Sequence, residues 1–110
     1  MNQQERDEYI SHDWTGPGWK QLILDCDREM SEINPDYTIL QIKEKFGGLR
    51  YYVEGHSDLF DIEEKYERLS FQICEECGSK LEVTTNRSNG FSWIKTYCKE
   101  CRKKENNNAP

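Results

Sequence analysis

Over residues 19–33 the apolar positions Trp19, Leu22, Ile23, Cys26, Met30 and Ile33 fall three and four apart, the stripe of an amphipathic helix. Asp25, Asp27, Arg28, Glu29 and Glu32 fall mainly on the remaining faces, and Asn34-Pro35 stops the helix. The pattern then changes. Residues 37–46 and 49–54 read as strands, and Gly47-Gly48 between them is a two-residue hairpin signal. With those glycines as the turn, Phe46 faces Leu49, Glu44 faces Tyr51 and Ile42 faces Val53 on a core side. Lys45 then faces Arg50, and Lys43 faces Tyr52, on a basic and aromatic side. After Gly55-His56, Ser57 or Asp58 can cap a second helix, whose stripe is Leu59, Ile62, Tyr66, Leu69 and Ile73. Residues 80–85 and 91–97 read as strands around the turn-forming Asn86-Arg87-Ser88-Asn89-Gly90, and residues 98–105 as one or two helical turns.

Residues 1–12 are polar with little periodicity and read as a flexible N-terminal arm, helical at most in part. Residues 13–73 then form an α-β-β-α body, 74–105 a metal module docked on it, and 106–110 a disordered tail. The predicted fold is α+β, with two amphipathic helices packed on an antiparallel β-hairpin.

The chemistry is concentrated in Cys74-Glu75-Glu76-Cys77-Gly78 and Cys98-Lys99-Glu100-Cys101, C-x-x-C pairs separated by twenty residues. That is tetracysteine zinc spacing. Each turn offers a chelating pair of thiolates, and Gly78 suits a knuckle in which φ is often positive. Knuckle, hairpin and a cysteine pair opening a helix describe a treble clef; a zinc ribbon, with both knuckles on hairpins, is the alternative. One structural Zn²⁺ per chain on Cys74, Cys77, Cys98 and Cys101 is expected, because four sulfurs fill its coordination sphere and leave no position for activating water. Cys26 lies on the apolar stripe and behaves there as a small hydrophobe.

Charge narrows the choice of partners. The chain carries 21 acidic and 15 basic residues, net −6, so non-specific affinity for nucleic acid is poorly supported. Residues 1–36 hold nine acids and three bases (−6), whereas residues 74–110 hold five and seven (+2). The longest run of Leu and Ile is Leu22-Ile23-Leu24, which excludes an apolar membrane helix, and the N-terminus has no secretory pattern. A cytoplasmic setting with reduced cysteines follows, and it favours metal over disulfides.

Gly18-Trp19, the stretch Gln41-Ile42-Lys43-Glu44-Lys45-Phe46-Gly47-Gly48-Leu49-Arg50-Tyr51-Tyr52, and Cys74-x-x-Cys77-Gly78 together resemble small uncharacterised proteins of bacteria and their phages. The shared features are a KFGGLR-type hairpin and a following tetracysteine zinc module. The resemblance covers about residues 16–101 and implies a phage or prophage accessory setting, in which small proteins often bind a host factor or a host defence component; no established activity attaches to that group.

Enzyme readings fail on the residues. A zinc deaminase needs H-x-E and P-C-x-x-C; here His56-Ser57-Asp58 offers Asp for Glu, Ile73 replaces Pro, and the second cysteine pair closes the metal. A treble-clef nuclease needs histidines at the module, but His12 and His56 both precede it. A thiol–disulfide enzyme needs a thioredoxin-like βαβ context, which is absent. The expected function is therefore non-enzymatic binding or regulation, most simply of another protein, through the acidic helices and any exposed members of Phe91, Trp93 and Tyr97. The alternative is an anionic small-molecule binder, such as of a nucleotide, on Lys43, Lys45, Arg50 and Tyr52, where opposed cations need a negative neighbour. That neighbour is either a carboxylate from an acidic helix or a bound phosphate. A weak nucleic-acid-binding module using Arg87, Lys95, Lys99, Arg102, Lys103 and Lys104 is the third reading.

Overall fold

A computed structural model describes residues 1–13, 15–55, 57–87 and 94–107, with side chains described as far as residue 104. In chain order the elements are α1 (Gln3–Ser11), a 3-10 turn (Pro17–Trp19), α2 (Lys20–Ile33), β1 (Ile39–Lys45), β2 (Gly48–Val53), α3 (Ser57–Ser70), β3 (Val83–Arg87), β4 (Ile94–Cys98) and α4 (Lys99–Asn107). β1 pairs with β2 and β3 with β4, each as an antiparallel two-stranded sheet. The fold is α+β, as the patterning predicts, with helices packed on a small hairpin and a C-terminal tetracysteine cluster.

α2 buries Trp19 at its entry and then Leu22, Ile23, Cys26 and Met30. These meet Tyr37, Ile39, Ile42, Leu49 and Tyr51 from the hairpin and Leu59, Ile62 and Tyr66 from α3. One end of the predicted stripes falls outside this core, and the other packs against it from beyond its helix. Ile33, in the last turn before the Asn34 cap, is 51% exposed, and α3 stops at Ser70, so Ile73 lies beyond it. Turn bonds from the N–H groups of Phe71, Gln72 and Ile73 to the carbonyls of Arg68, Leu69 and Ser70 follow the helix, and the Ile73 carbonyl accepts the Trp19 indole N–H at 2.9 Å. Between the helices, the Glu29 carboxylate accepts from Lys65 (2.9 Å) and Tyr66 (2.5 Å), and the Lys65 bond, followed by that of Tyr66, holds it below the usual carboxylate range.

The expected N-terminal arm is instead a docked helix. Asn2 and Glu5 form a reciprocal capping box that starts α1, and both Arg6 and Ile10 are buried. Arg6 turns inward because its partner is Asp27 of α2, at 2.8 Å, a residue whose sequence position assigned it to the polar face. Tyr37 donates to the same carboxylate at 2.5 Å and meets the Tyr51 hydroxyl at 2.6 Å.

The hairpin register also differs. Its turn is Phe46-Gly47, with φ of 54° and 82°, so Lys45 pairs with Gly48, Lys43 with Arg50 and Ile42 with Tyr51. The positive φ at both central residues is that of a type I′ turn. Tertiary contacts select it: Gly48 must lie in the strand over Phe71, where a Cβ would fall 2.6 Å from the ring, and Leu49 N–H donates to Ser70 Oγ at 2.9 Å. Because pairing partners shift by two residues, Ile42, Leu49 and Tyr51 keep the core face. Phe46 does not: as a turn residue it is 64% exposed.

In the C-terminal part, β3 begins later than expected and continues through Asn86 and Arg87, which pair with Lys95 and Ile94 instead of forming the turn. α4 continues to Asn107, past the start assigned to the tail. The predicted roles of Trp14, His56, Ser88, Asn89, Gly90, Phe91, Ser92, Trp93 and residues 108–110 lie outside the described residues. No helix among the described residues is long and apolar enough to cross a membrane.

Candidate metal centre

Cys74 and Cys77 sit on a tight turn immediately after α3, Cys98 ends β4, and Cys101 lies in the first turn of α4. The four Sγ atoms lie within 4.8 Å of one another, and Cys77 and Cys98 Sγ are 3.6 Å apart. Tetrahedral Zn–S bonds of ~2.3 Å place sulfurs about 3.8 Å apart, whereas a disulfide needs ~2.05 Å. The spacing therefore fits four ligands to one ion, and no cysteine is disulfide-bonded. The knuckle closes through Gly78 N–H to Cys74 O (2.9 Å) and Cys74 N–H to Ser79 O (2.8 Å), with Gly78 at φ 82°. Cys101 N–H points at Cys98 Sγ at 3.4 Å. Since the second pair opens a helix, the arrangement is treble-clef-like.

The electrostatics call for a cation. Burial raises the Cys74 thiol, but backbone N–H groups of Cys77, Cys98 and Glu76 aimed at its sulfur outweigh that and bring it to about 7. Burial, followed by sulfur–sulfur bonds to Cys74 and Cys98, pushes the Cys101 thiol up. Thiolates cannot share so small a space without a metal to neutralise them.

The sequence predicts a docked metal module without naming its contacts, and the structure locates them where two glycine-containing turns meet the module. Gly18 N–H donates to Glu75 O at 2.8 Å, so the Gly16-Pro17-Gly18 segment lies directly on the knuckle backbone. Thr96 Oγ1 donates to Gly47 O at 2.6 Å and meets Thr85 Oγ1 at 2.7 Å, which seats the tip of the first hairpin on the second. Glu75, between the knuckle cysteines, is 5% exposed; its carboxylate accepts from Thr96 N–H at 3.0 Å and pairs with Lys95 at 3.3 Å. Burial pushes that carboxyl up against the opposing pull of the Thr96 N–H and Lys95. The signal for these contacts was the pair of glycine-rich turns, but their partners are distant in sequence.

A substitution tests this close approach. A Cβ on Gly18 would fall 2.0 Å from Cys74 O and 2.5 Å from Gly78 N, both backbone atoms of the knuckle. Gly18→Ala is expected to lower unfolding free energy by about 1–3 kcal/mol, as overpacking does, and to hasten zinc transfer to a chromophoric chelator. A wild-type melting temperature together with an unchanged transfer rate would contradict the docking.

The predicted anion-binding residues share the outer face of the first hairpin but are engaged within the chain. Arg50 pairs with Glu67 of α3 at 2.6 Å, and Lys43 lies 5.8 Å from the centre of the Tyr52 ring. Lys45 is not opposite Arg50, as expected, but lies over the Phe46 ring at 5.6 Å. The cation opposed to Arg50 is Lys43, and an acidic helix supplies the neutralising carboxylate. Among the basic residues of the metal module, Lys95 is paired with Glu75, Lys103 lies 3.8 Å from Glu100, and Arg102 bonds the Thr84 and Lys95 carbonyls at 2.9 and 3.0 Å. No protein-family model matches this chain, and neither a curated protein nor a solved structure matches it.

Proposed function

We propose that this chain is a non-enzymatic binding or regulatory protein, built around one structural Zn²⁺ on Cys74, Cys77, Cys98 and Cys101. The observation that carries the reading is the closeness of the four Sγ atoms, all within 4.8 Å, which leaves the metal saturated by protein ligands. The partner is another protein, and the setting is that of a cytoplasmic phage or prophage accessory protein acting on a host factor. Support for the setting comes from the resemblance carried by Gly18-Trp19, the residue 41–52 hairpin and the first cysteine pair. Those residues form the seam between body and metal module, so the resemblance concerns an architecture and leaves other surfaces free for recognition.

Protein purified without added metal is expected to contain one Zn²⁺ per chain by elemental analysis. After replacement by Co²⁺, its visible spectrum should be that of a tetrahedral all-sulfur site and should not respond to azide or cyanide. A metal-free native fold with disulfides, or a spectrum that shifts as added anion enters an open position, would overturn the proposal.

A further inference from the structure

Solvent reaches the four clustered cysteines unequally. Cys74, Cys98 and Cys101 are 0%, 4% and 8% exposed, whereas Cys77 is exposed. Cys98 Sγ lies 3.6 Å from Cys77 Sγ. A thiolate open to solvent with a second sulfur in reach is the arrangement of an oxidisable cysteine and its resolving partner. Zn²⁺ coordination keeps all four sulfurs deprotonated, so the attacking form is present without a separate base. Cys26 has neither property, being buried in the body and outside the cluster. Glu75, in the same turn as Cys77, holds the seam between body and metal module. Its carbonyl accepts from Gly18 N–H at 2.8 Å, and its carboxylate from Thr96 N–H at 3.0 Å.

We propose that Cys77 is a site of reversible oxidation by hydroperoxides, with Cys98 as its resolving partner, and that their disulfide releases the metal and loosens the seam at Glu75. This rests on the structural-zinc reading and gives that centre a regulatory use. In the first step Cys77 Sγ attacks one peroxide oxygen, the O–O bond breaks and hydroxide leaves, which gives a sulfenic acid. In the second, the Cys98 thiolate attacks the sulfenic sulfur; the S–S bond forms, the S–O bond breaks and a second hydroxide leaves. The two sulfurs together lose two electrons, and one peroxide is reduced. The pair must close from 3.6 Å to ~2.05 Å, and Cys77, open on its solvent side, has room to move. Only Cys74 and Cys101 then remain as thiolate ligands, half of what a structural zinc site requires. The bond also joins the knuckle to the end of β4 and closes the loop between them, so reduction can restore the site.

The test uses the zinc-loaded full chain, reduced and kept free of oxygen, with hydrogen peroxide added in limiting amounts. A chromophoric chelator should register one Zn²⁺ freed per peroxide consumed, and peptide mapping should find a Cys77–Cys98 disulfide. At the earliest times a sulfenic-acid trap should label Cys77 several-fold more than any other cysteine. Amide exchange should speed at Gly18 and Thr96, whose N–H groups Glu75 holds. It should stay unchanged at Val53, whose N–H is bonded to Glu63 in the body. Dithiothreitol with added Zn²⁺ should restore both metal and protection. Cys26→Ser should behave as the wild type throughout, since that thiol is buried in the body. A dominant Cys74–Cys77 disulfide, equal labelling of the clustered cysteines, zinc retained after the disulfide forms, or a loss that reduction does not reverse would overturn the proposal. Zinc missing before peroxide is added would instead overturn the structural-zinc reading.

Discussion

Cys98→Ser is expected to release the metal and unfold residues 74–101. Cys98 is 4% exposed, closes the β3–β4 pairing opposite Val83 and receives the Cys101 N–H. Its loss removes a ligand and leaves three buried or crowded thiols without a saturated ion. Structural Zn²⁺ contributes on the order of 10 kcal/mol or more in small modules, comparable to the whole stability of a domain at ~5–15 kcal/mol. The apolar cluster around the cysteines, with Val83 and Tyr97 against them, is too small to offset that. Damage should extend into the body, which would lose the Gly18–Glu75 and Thr96–Gly47 bonds. Amide exchange should therefore show β3 and β4 unprotected, with α2 and α3 retained but less stable. Cys26→Ser should keep the zinc: Cys26 is buried in the body, where desolvation pushes its thiol up and keeps it protonated. A Cys98→Ser protein retaining equimolar zinc and a wild-type melting temperature would contradict the centre described above.

The contrast between those two cysteines shows which features are readable in the chain. C-x-x-C geometry is local: the residues between two ligands decide whether both sulfurs can reach one ion, so Cys74, Cys77, Cys98 and Cys101 come together as their spacing requires. Helical stripes are equally local, which is why Leu22, Ile23, Cys26 and Met30, and Leu59, Ile62 and Tyr66, face the core as expected. The departures arise where a distant partner overrides a local preference. A glycine pair favours a turn at 47–48, yet Gly48 is needed over Phe71 and the turn moves onto Phe46 despite its positive φ. A polar N-terminal stretch without periodicity reads as an arm, yet Arg6 finds Asp27 across 21 residues. The negative neighbour of Arg50 was inferable from charge repulsion in the hairpin, but nothing in the pattern singled out Glu67.

Arg6→Ala is the substitution outside the metal centre with the largest expected effect, about 3–5 kcal/mol of destabilisation, because it leaves a buried carboxylate without its cation. Arg6 is fully buried, and its guanidinium donates to Asp27 Oδ1, to Gln3 Oε1 and to the carbonyls of Met1, Pro35 and Tyr37, at 2.7 to 3.3 Å. It also lies 4.4 Å from the centre of the Tyr37 ring. Removing it leaves Asp27, 5% exposed, with only the neutral donors Gln3 and Tyr37, and frees acceptors that had been satisfied inside the chain. Arg6→Lys should recover little, since an ammonium cannot reproduce a planar fork that reaches α1, α2 and the segment before β1 together. The double change Arg6→Met with Asp27→Leu should recover much of the loss, because replacing both ions by apolar groups removes the desolvation cost along with the attraction. Urea unfolding of the zinc-loaded protein, monitored in the body by Tyr and Trp fluorescence, separates these variants. If Arg6→Ala cost less than about 1 kcal/mol, the range of an exposed pair, α1 would not be held by a buried ion pair in solution. If the apolar double variant were no more stable than Arg6→Ala, the cost would lie in lost hydrogen bonds to the three carbonyls and not in the stranded charge of Asp27.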